Sequence, residues 1–238
     1  MMEAASEAKA WGGARNAATA ITFRPPPLAD LQTVPVREPS VTRTTRERTT
    51  SRRRLVEQAA RELGSPAAES PQVLSRLHDR VEQLEEDGHD FDTAEASFQL
   101  LLLKALGERA GCCDIEWYRV ITERHGGKLV SEASVKVRVR GQCYHTVAEG
   151  DGPLAAMARA FCAALESAYP LVRSIELVGH VVSTLTGGAE KSGRSPTRVV
   201  VRATDGRTAW STVGVNDDPI EAGWMALRDM IEYRLLAL

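Results

Sequence analysis

The sequence is short of net charge, of aromatic residues and of long apolar runs. The formal net charge is −2 over 238 residues, so the basic surplus typical of nucleic-acid-binding proteins is missing. No apolar run approaches the roughly 18 residues that cross a bilayer, and no basic segment followed by an apolar one begins the chain. These absences argue against nucleic-acid and membrane partners. They predict a cytoplasmic protein.

Cysteine is also scarce, and its spacing is uninformative for metals. The four residues are Cys112, Cys113, Cys143 and Cys162, and none has C-x-x-C spacing. Two adjacent cysteines do not easily close an ordinary bridge or chelate one zinc ion. We therefore predict reduced thiols, with no metal and no cofactor bound by this chain.

Residues 1–50 read as a disordered, low-complexity tail. Alanine, glycine, threonine, arginine and proline dominate, and no apolar period is sustained. Residues 41–54 are nearly all threonine and arginine, which leaves a basic nucleic-acid-binding arm, a solvated tail and a wrongly assigned gene start as alternatives. No aromatic residue lies among these arginines to stack on bases, which weakens the first alternative.

Residues 51–110 predict a helical subdomain of three helices. The first covers 51–63, the second runs from Ser70-Pro71 to Gly88, and the third runs from Asp92 or Thr93 to Gly107. A layer of this size has too little interior to be stable alone, so it is expected to dock on the rest of the chain.

From residue 113 to residue 238 the apolar period changes from 3.6 to 2. Strands are predicted at 115–123, 131–140 and 143–148, followed by a helix that ends at Tyr169-Pro170. The same order then returns, with strands at 173–183, 197–203 and 207–215 and a helix opened by Asp218-Pro219.

These two halves are an internal repeat with a shift of 66 residues. The shift carries Tyr-His-Thr-Val at 144–147 onto Trp-Ser-Thr-Val at 210–213, and it carries Asp151 onto Asp217 and Pro153 onto Pro219. Neither unit can bury its apolar face alone. The sequence therefore predicts an α+β fold of two strand-strand-strand-helix repeats packed about a pseudo-twofold axis.

The same segments resemble a known family. Val-Lys-Val-Arg-Val at 135–139 and His-Thr-Val-Ala-Glu-Gly-Asp-Gly-Pro at 145–153 are similar to the LeuA-type regulatory domain of the citramalate synthases and 2-isopropylmalate synthases. Leu-Glu-Glu-Asp-Gly-His-Asp-Phe at 84–91 resembles the linker subdomain of the citramalate synthase branch. The resemblance covers roughly residues 51–238 and implies a homodimer with feedback regulation.

In that family a TIM barrel precedes these segments and condenses acetyl-CoA with a 2-keto acid, using a divalent metal held by an Asp and a His-x-His pair. None of the five histidines here forms such a pair, and a barrel of about 250 residues exceeds the chain. We expect no catalytic residue and no synthase activity from this chain alone. A frameshift or gene break upstream of residue 51 is a further interpretation of the Arg/Thr segment.

Two segments are candidates for effector binding. At Gly150-Asp151-Gly152, either an effector carboxylate docks on the helix N-terminus or Asp151 simply caps the helix while the glycines supply unusual backbone angles. The family resemblance places the feedback inhibitor, isoleucine or leucine, against the fourth strand and the loop after it. The matching positions here are Gly179, His180, Thr184, Gly187 and Gly188. The family commonly has Asp-Tyr where this chain has Gly179-His180, which predicts lost or altered effector preference.

Three roles are compatible with these features. The chain is interpreted first as a dimerising, amino-acid-sensing module. It is interpreted second as the regulatory component for a separately encoded catalytic barrel, and third as a truncated or frameshifted relic.

Overall fold

The computed structural model describes residues 56–58, 61, 70–107, 111–185 and 195–236. The tail predicted over 1–50 lies outside these residues, and so does most of the first predicted helix. The four described residues of that helix, 56–58 and 61, are helical.

Two helices precede the sheets. Helix α1 covers Pro71–Glu86 and starts at its proline, as predicted, while Gly88 lies in the left-handed region at φ +103° just beyond its end. Helix α2 covers Glu95–Ala105 and has Ala94 as its N-cap, with no side-chain capping bond. The predicted cap at Asp92 or Thr93 is therefore wrong. Those two residues belong to the turn before the helix, where Thr93 donates to the Asp90 carbonyl.

The first repeat consists of strands β1 (Asp114–His125), β2 (Lys128–Val139) and β3 (Gln142–Gly150), followed by helix α3 (Pro153–Leu165). Its antiparallel sheet has the order β1-β2-β3. Gly126 and Gly127, both at positive φ, make the tight turn between β1 and β2. The alternating residues 133, 135, 137 and 139 of β2 are fully buried under the helix, as their spacing predicts.

The second repeat consists of β4 (Glu176–Thr184), β5 (Thr197–Thr204) and β6 (Ala209–Asn216), followed by helix α4 (Pro219–Leu236). Its sheet has the order β4-β5-β6. The predicted start of the fourth strand at residue 173 is wrong, because Pro170–Ser174 forms a short 3-10 helix and β4 begins at Glu176. Pro170 fixes its own φ and lacks an N–H, so it opens this turn instead of extending the strand.

The two repeats share registers and anchoring bonds, which confirms the predicted α+β fold of doubled units. Thr146 Oγ1 donates to the Ala160 carbonyl at 2.7 Å, and Thr212 Oγ1 donates to the Ala226 carbonyl at 2.7 Å. Each pair lies 66 residues from its counterpart. The first and fourth strands also carry equivalent bulges, at 116 and 178, so their offset is 62 and not 66. The longer β1–β2 hairpin accounts for the four residues.

Two apolar clusters fill the interior, and α2 belongs to both. The larger cluster joins the helix-facing sides of both sheets with α3, α4 and the α2 residues Ala96 and Leu100. The smaller cluster joins α1 with Leu102, Leu103 and Leu106 at the other side of α2. Helix α2 is therefore shared between the helical layer and the doubled domain.

Candidate functional site

The two repeats differ most where the first strand of each unit meets the helix of the other or of its own layer. In the first unit, Tyr118 of β1 stacks on Trp224 of α4, with ring centroids 4.6 Å apart. Trp224 also packs on Phe161 of α3 at 4.9 Å. The Tyr118 hydroxyl donates to the Glu221 carboxylate, and burial, followed by this acceptor, raises the pKa of Tyr118. Aromatic rings thus fill the space beside β1.

The repeat-related space beside the second unit is open. The offset of 66 takes Trp224 to Ala158 and Glu221 to Ala155, and the strand offset of 62 takes Tyr118 to His180. Neither alanine can reach across to β4. A groove of about 600 Å³ remains between α3, the 3-10 helix and the start of β4.

The floor of this groove is apolar. The side chains that form it come from α3, the 3-10 helix and β4: Ala155, Ala158, Cys162, Val172 and Leu177. Burial raises the pKa of the Cys162 thiol to about 12, so the thiol is neutral at physiological pH and contributes to the apolar surface. An aliphatic group of a few carbons would bury its surface here.

The rim of the groove carries charges of both signs. Arg159 and Arg173 supply the cations, and Glu166 and Glu176 supply the anions. Arg159 Nη1 donates to the Glu149 carbonyl at 3.0 Å, and Arg173 pairs with Glu166. A small apolar group that also bears a carboxylate and an ammonium matches this combination of floor and rim.

The Gly150-Asp151-Gly152 turn does not behave as either sequence hypothesis required. Gly152 is the N-cap of α3 in an extended conformation, and no side chain caps the helix, so the prediction of Asp151 as the cap is wrong. Neither glycine has a positive φ. Gly150 is needed for close packing instead, since a Cβ there would lie 2.4 Å from the Ala156 nitrogen.

In the second repeat the capping prediction is correct. Asp218 Oδ1 accepts from the Ile220 N–H at 2.8 Å and the Glu221 N–H at 3.1 Å. The two helix starts therefore differ, and α3 leaves its first N–H groups without a side-chain partner close to the groove residue Ala155.

The β4 candidates are spread along the strand. Gly179 and His180 follow the groove residue Leu177 directly, with the bulge at Val178 between them. Thr184 pairs with Thr197 at the opposite end of the strand, roughly 20 Å away at about 3.3 Å per residue. Gly187 and Gly188 lie outside the described residues. The role of these five positions in effector binding stays a prediction.

Sequence reasoning missed the groove because its floor looks like ordinary helix core. Alanines at helical spacing predict close packing and give no sign of an empty space. The available signal was the repeat itself, since one offset placed an alanine opposite a tryptophan and the other placed Gly179-His180 opposite Trp117-Tyr118.

Other kinds of site were sought in the same residues. The part of the chain that the structure describes contains no group of three or more His, Cys, Asp or Glu side chains able to hold a metal ion. Within the described helices, none has the length and apolarity needed to cross a membrane.

Comparison with known proteins places the chain in a family. The model of the LeuA allosteric (dimerisation) domain matches residues 92–235. The (R)-citramalate synthase of Aquifex aeolicus is 39% identical over 165 residues, which cover 68% of this chain and 31% of that enzyme. The (R)-citramalate synthase of Streptomyces coelicolor is 37% identical over 183 residues, which cover 76% of this chain and 34% of that enzyme.

The matched region begins within the helical layer, just before α2, and ends within α4. The chain spans about a third of the length of these curated relatives. The match to the doubled sheet-and-helix region, together with the likeness to citramalate synthases, shows that the chain belongs to the LeuA allosteric (dimerisation) domain family.

Proposed function

We propose that this chain is the regulatory, dimerising portion of a citramalate synthase-like or 2-isopropylmalate synthase-like acyltransferase of isoleucine or leucine biosynthesis. Its groove between α3 and β4 binds a branched-chain amino acid, isoleucine or leucine. The observation that carries the proposal is the open position at Ala158, where the other repeat holds Trp224.

The shape and charge of the groove support an aliphatic amino acid. Its floor of two alanines, a neutral thiol, a valine and a leucine suits a branched side chain of four carbons. Arg159 and Arg173 would pair with the effector carboxylate, and Glu176 with its ammonium. The shortened side chains at Gly179-His180, relative to the Asp-Tyr common in the family, would alter the preference between isoleucine and leucine.

An exposed apolar edge beside the groove supports the homodimer. Strand β4 is an edge of its sheet and carries Val178, Val181 and Val182, which are 66%, 42% and 53% exposed. Unpaired edges with exposed apolar side chains are prone to bind another chain. A second copy seated on β4 would cover these valines and close the open side of the groove.

Catalysis is assigned to a barrel partner, whether part of the same polypeptide or separately encoded. The barrel would carry the divalent metal and bind acetyl-CoA in the cytoplasm, and effector binding would reach it through the helical layer. A second candidate, a relic without physiological role, predicts a chain that folds and binds no amino acid.

Thermal unfolding with isoleucine, leucine or valine tests the effector site. Ligand at 100 times its dissociation constant should stabilise the folded state by about 2.7 kcal/mol. Ala158→Trp, which copies the residue of the other repeat, should abolish the shift by filling the groove. Val147→Trp adds the same ring on an exposed site of β3 and should leave the shift intact. A cooperative transition that none of the three amino acids moves would favour the relic.

Sedimentation tests the interface. Val181→Glu should convert the dimer to a monomer, because a carboxylate at the centre of an apolar contact is costly to desolvate. Val147→Glu makes the same change on an exposed site of the other sheet and should leave the dimer unchanged. Dissociation by both variants or by neither would contradict an interface on β4.

A further inference from the structure

A pair of adjacent thiols lies where the helical layer joins the doubled domain. Cys112 and Cys113 immediately precede β1, after Gly111 at φ +86°. Both are half-buried, and Cys112 Sγ donates to Cys113 Sγ at 3.8 Å. The groove and the dimer edge use neither residue.

The two thiols differ in acidity. The bond from Cys112 lowers the pKa of Cys113, against burial and the nearby Glu232 and Asp114 carboxylates, while it raises the pKa of Cys112 together with burial. The guanidinium of Arg228 also favours the Cys113 thiolate. An attacking thiolate beside a protonated resolving thiol is the arrangement that disulfide exchange requires.

We propose that Cys112 and Cys113 form a redox modification site, at which a low-molecular-weight disulfide oxidises the pair to a vicinal disulfide. The Cys113 thiolate attacks one sulfur of the small disulfide, which breaks that S–S bond and releases one thiolate. Cys112 then loses its proton to the released thiolate and attacks Cys113 Sγ, which expels the second small thiol. Two protein thiols and one disulfide thus give one protein disulfide and two thiols.

The bridge is reversible because adjacent residues hold it under strain. The sulfurs must close from 3.8 Å to about 2.05 Å within a ring that contains the intervening peptide. Strained and accessible disulfides are reduced more readily than structural ones. Small thiols at cytoplasmic concentration should therefore reopen the bridge.

Closure of the bridge reaches the groove through one hydrogen bond. The Tyr169 hydroxyl donates to the Cys112 carbonyl at 3.0 Å, and the Arg140 guanidinium lies 5.1 Å above the Tyr169 ring. Tyr169 is the N-cap of the 3-10 helix that supplies Val172 and Arg173 to the groove. Rotation of the Cys112–Cys113 peptide displaces this acceptor. The coupling, unlike the modification, rests on the proposed function of the groove.

Mass spectrometry of the full chain tests the modification. After incubation with oxidised glutathione, alkylation and trypsin, the three cysteine-containing regions separate into the peptides 110–119, 141–159 and 160–173. The 110–119 peptide should lose about 2 Da and resist alkylation, and small thiols should reverse both changes. Cys112→Ser should instead retain glutathione on Cys113, and Cys113→Ser should react much more slowly. Glutathione accumulating on Cys113 of the unsubstituted chain, or no reaction there, would overturn the proposal.

Titration with isoleucine before and after oxidation tests the coupling. We expect oxidation to weaken binding about tenfold in the unsubstituted chain, equal to about 1.4 kcal/mol. Tyr169→Phe, which lacks the hydroxyl, should bind equally well in both redox states. Equal affinity in the unsubstituted chain would overturn the coupling. Failure of the reduced chain to bind any amino acid would instead refute the proposed function, with the mass change still standing.

Discussion

Single residues decide where this domain is filled and where it is open. A tryptophan at 224 closes one side of the doubled fold, and an alanine at the equivalent position 158 leaves the other side free. The same holds for Asp218, which caps its helix, and Asp151, which does not. Sequence spacing found these positions but treated them as equivalent, because a repeat pattern reports what two segments share and not where their packing differs.

Asp229 is a residue whose charge should reduce stability. It accepts from Ser97 Oγ at 3.0 Å and lies 3.6 Å from Lys104 Nζ, yet burial, the largest cause, raises its pKa above the usual 3.8. A carboxyl group with a raised folded-state pKa costs stability once the pH exceeds that pKa.

We therefore expect the unsubstituted chain to lose stability relative to Asp229→Asn as the pH rises from below 3.8 towards neutrality. Urea unfolding of both proteins at several pH values measures the difference. Asp92→Asn, which neutralises an exposed carboxylate in the turn before α2, serves as the control and should show little such trend. A difference of the opposite slope would mean that Lys104 outweighs burial.

Among the helices and strands, the sequence predicted existence better than boundaries. All six strands and the helices after them were expected from period and turn residues, because each buries one regular face. The start of β4 was misplaced because the apolar residues before it, including Val172, belong to a 3-10 helix whose burial resembles that of a strand. The groove was not predicted, since an empty volume arises from the distance between elements and has no period.

Each helix is fastened to its sheet by one threonine, and the repeat offers a matched pair of tests. Thr146→Val and Thr212→Val keep the side-chain shape but remove the bond to the helix carbonyl. We expect each to lower the free energy of unfolding by about 0.5–1.5 kcal/mol, with the larger loss at the fully buried Thr212. Urea unfolding checks this, and the serine substitutions should retain more of the stability. Strong non-additivity in the double variant would contradict independent fastenings.

At the level of the whole molecule, α2 ties the helical layer to the second repeat. Ser97 Oγ accepts from the Val213 N–H at 3.0 Å, and Lys104 Nζ lies 2.8 Å from the buried Glu232. Leu100 reaches the larger core cluster. A domain boundary at residue 113 was predicted from the change of period alone, and the period does not record which core a helix joins.

Truncation distinguishes the two possible boundaries. A chain that starts at residue 92 should unfold cooperatively, because it retains α2 and matches the whole family region. A chain that starts at residue 111 should be less stable by roughly 3–5 kcal/mol, since it uncovers core residues and leaves Glu232 without its lysine. Chemical denaturation gives both values. Equal stability of the two chains would place α2 outside the domain.

The alanine at 158 and the tryptophan at 224 also bear on how such a domain can evolve. In a symmetric assembly of two identical chains, every substitution is made twice, so one cavity cannot be filled while its twin stays open. Joining both copies in one polypeptide removes that constraint, and each copy can then acquire substitutions separately. One half of the duplicated unit is thereby free to specialise in rigidity, while the other retains room for a guest.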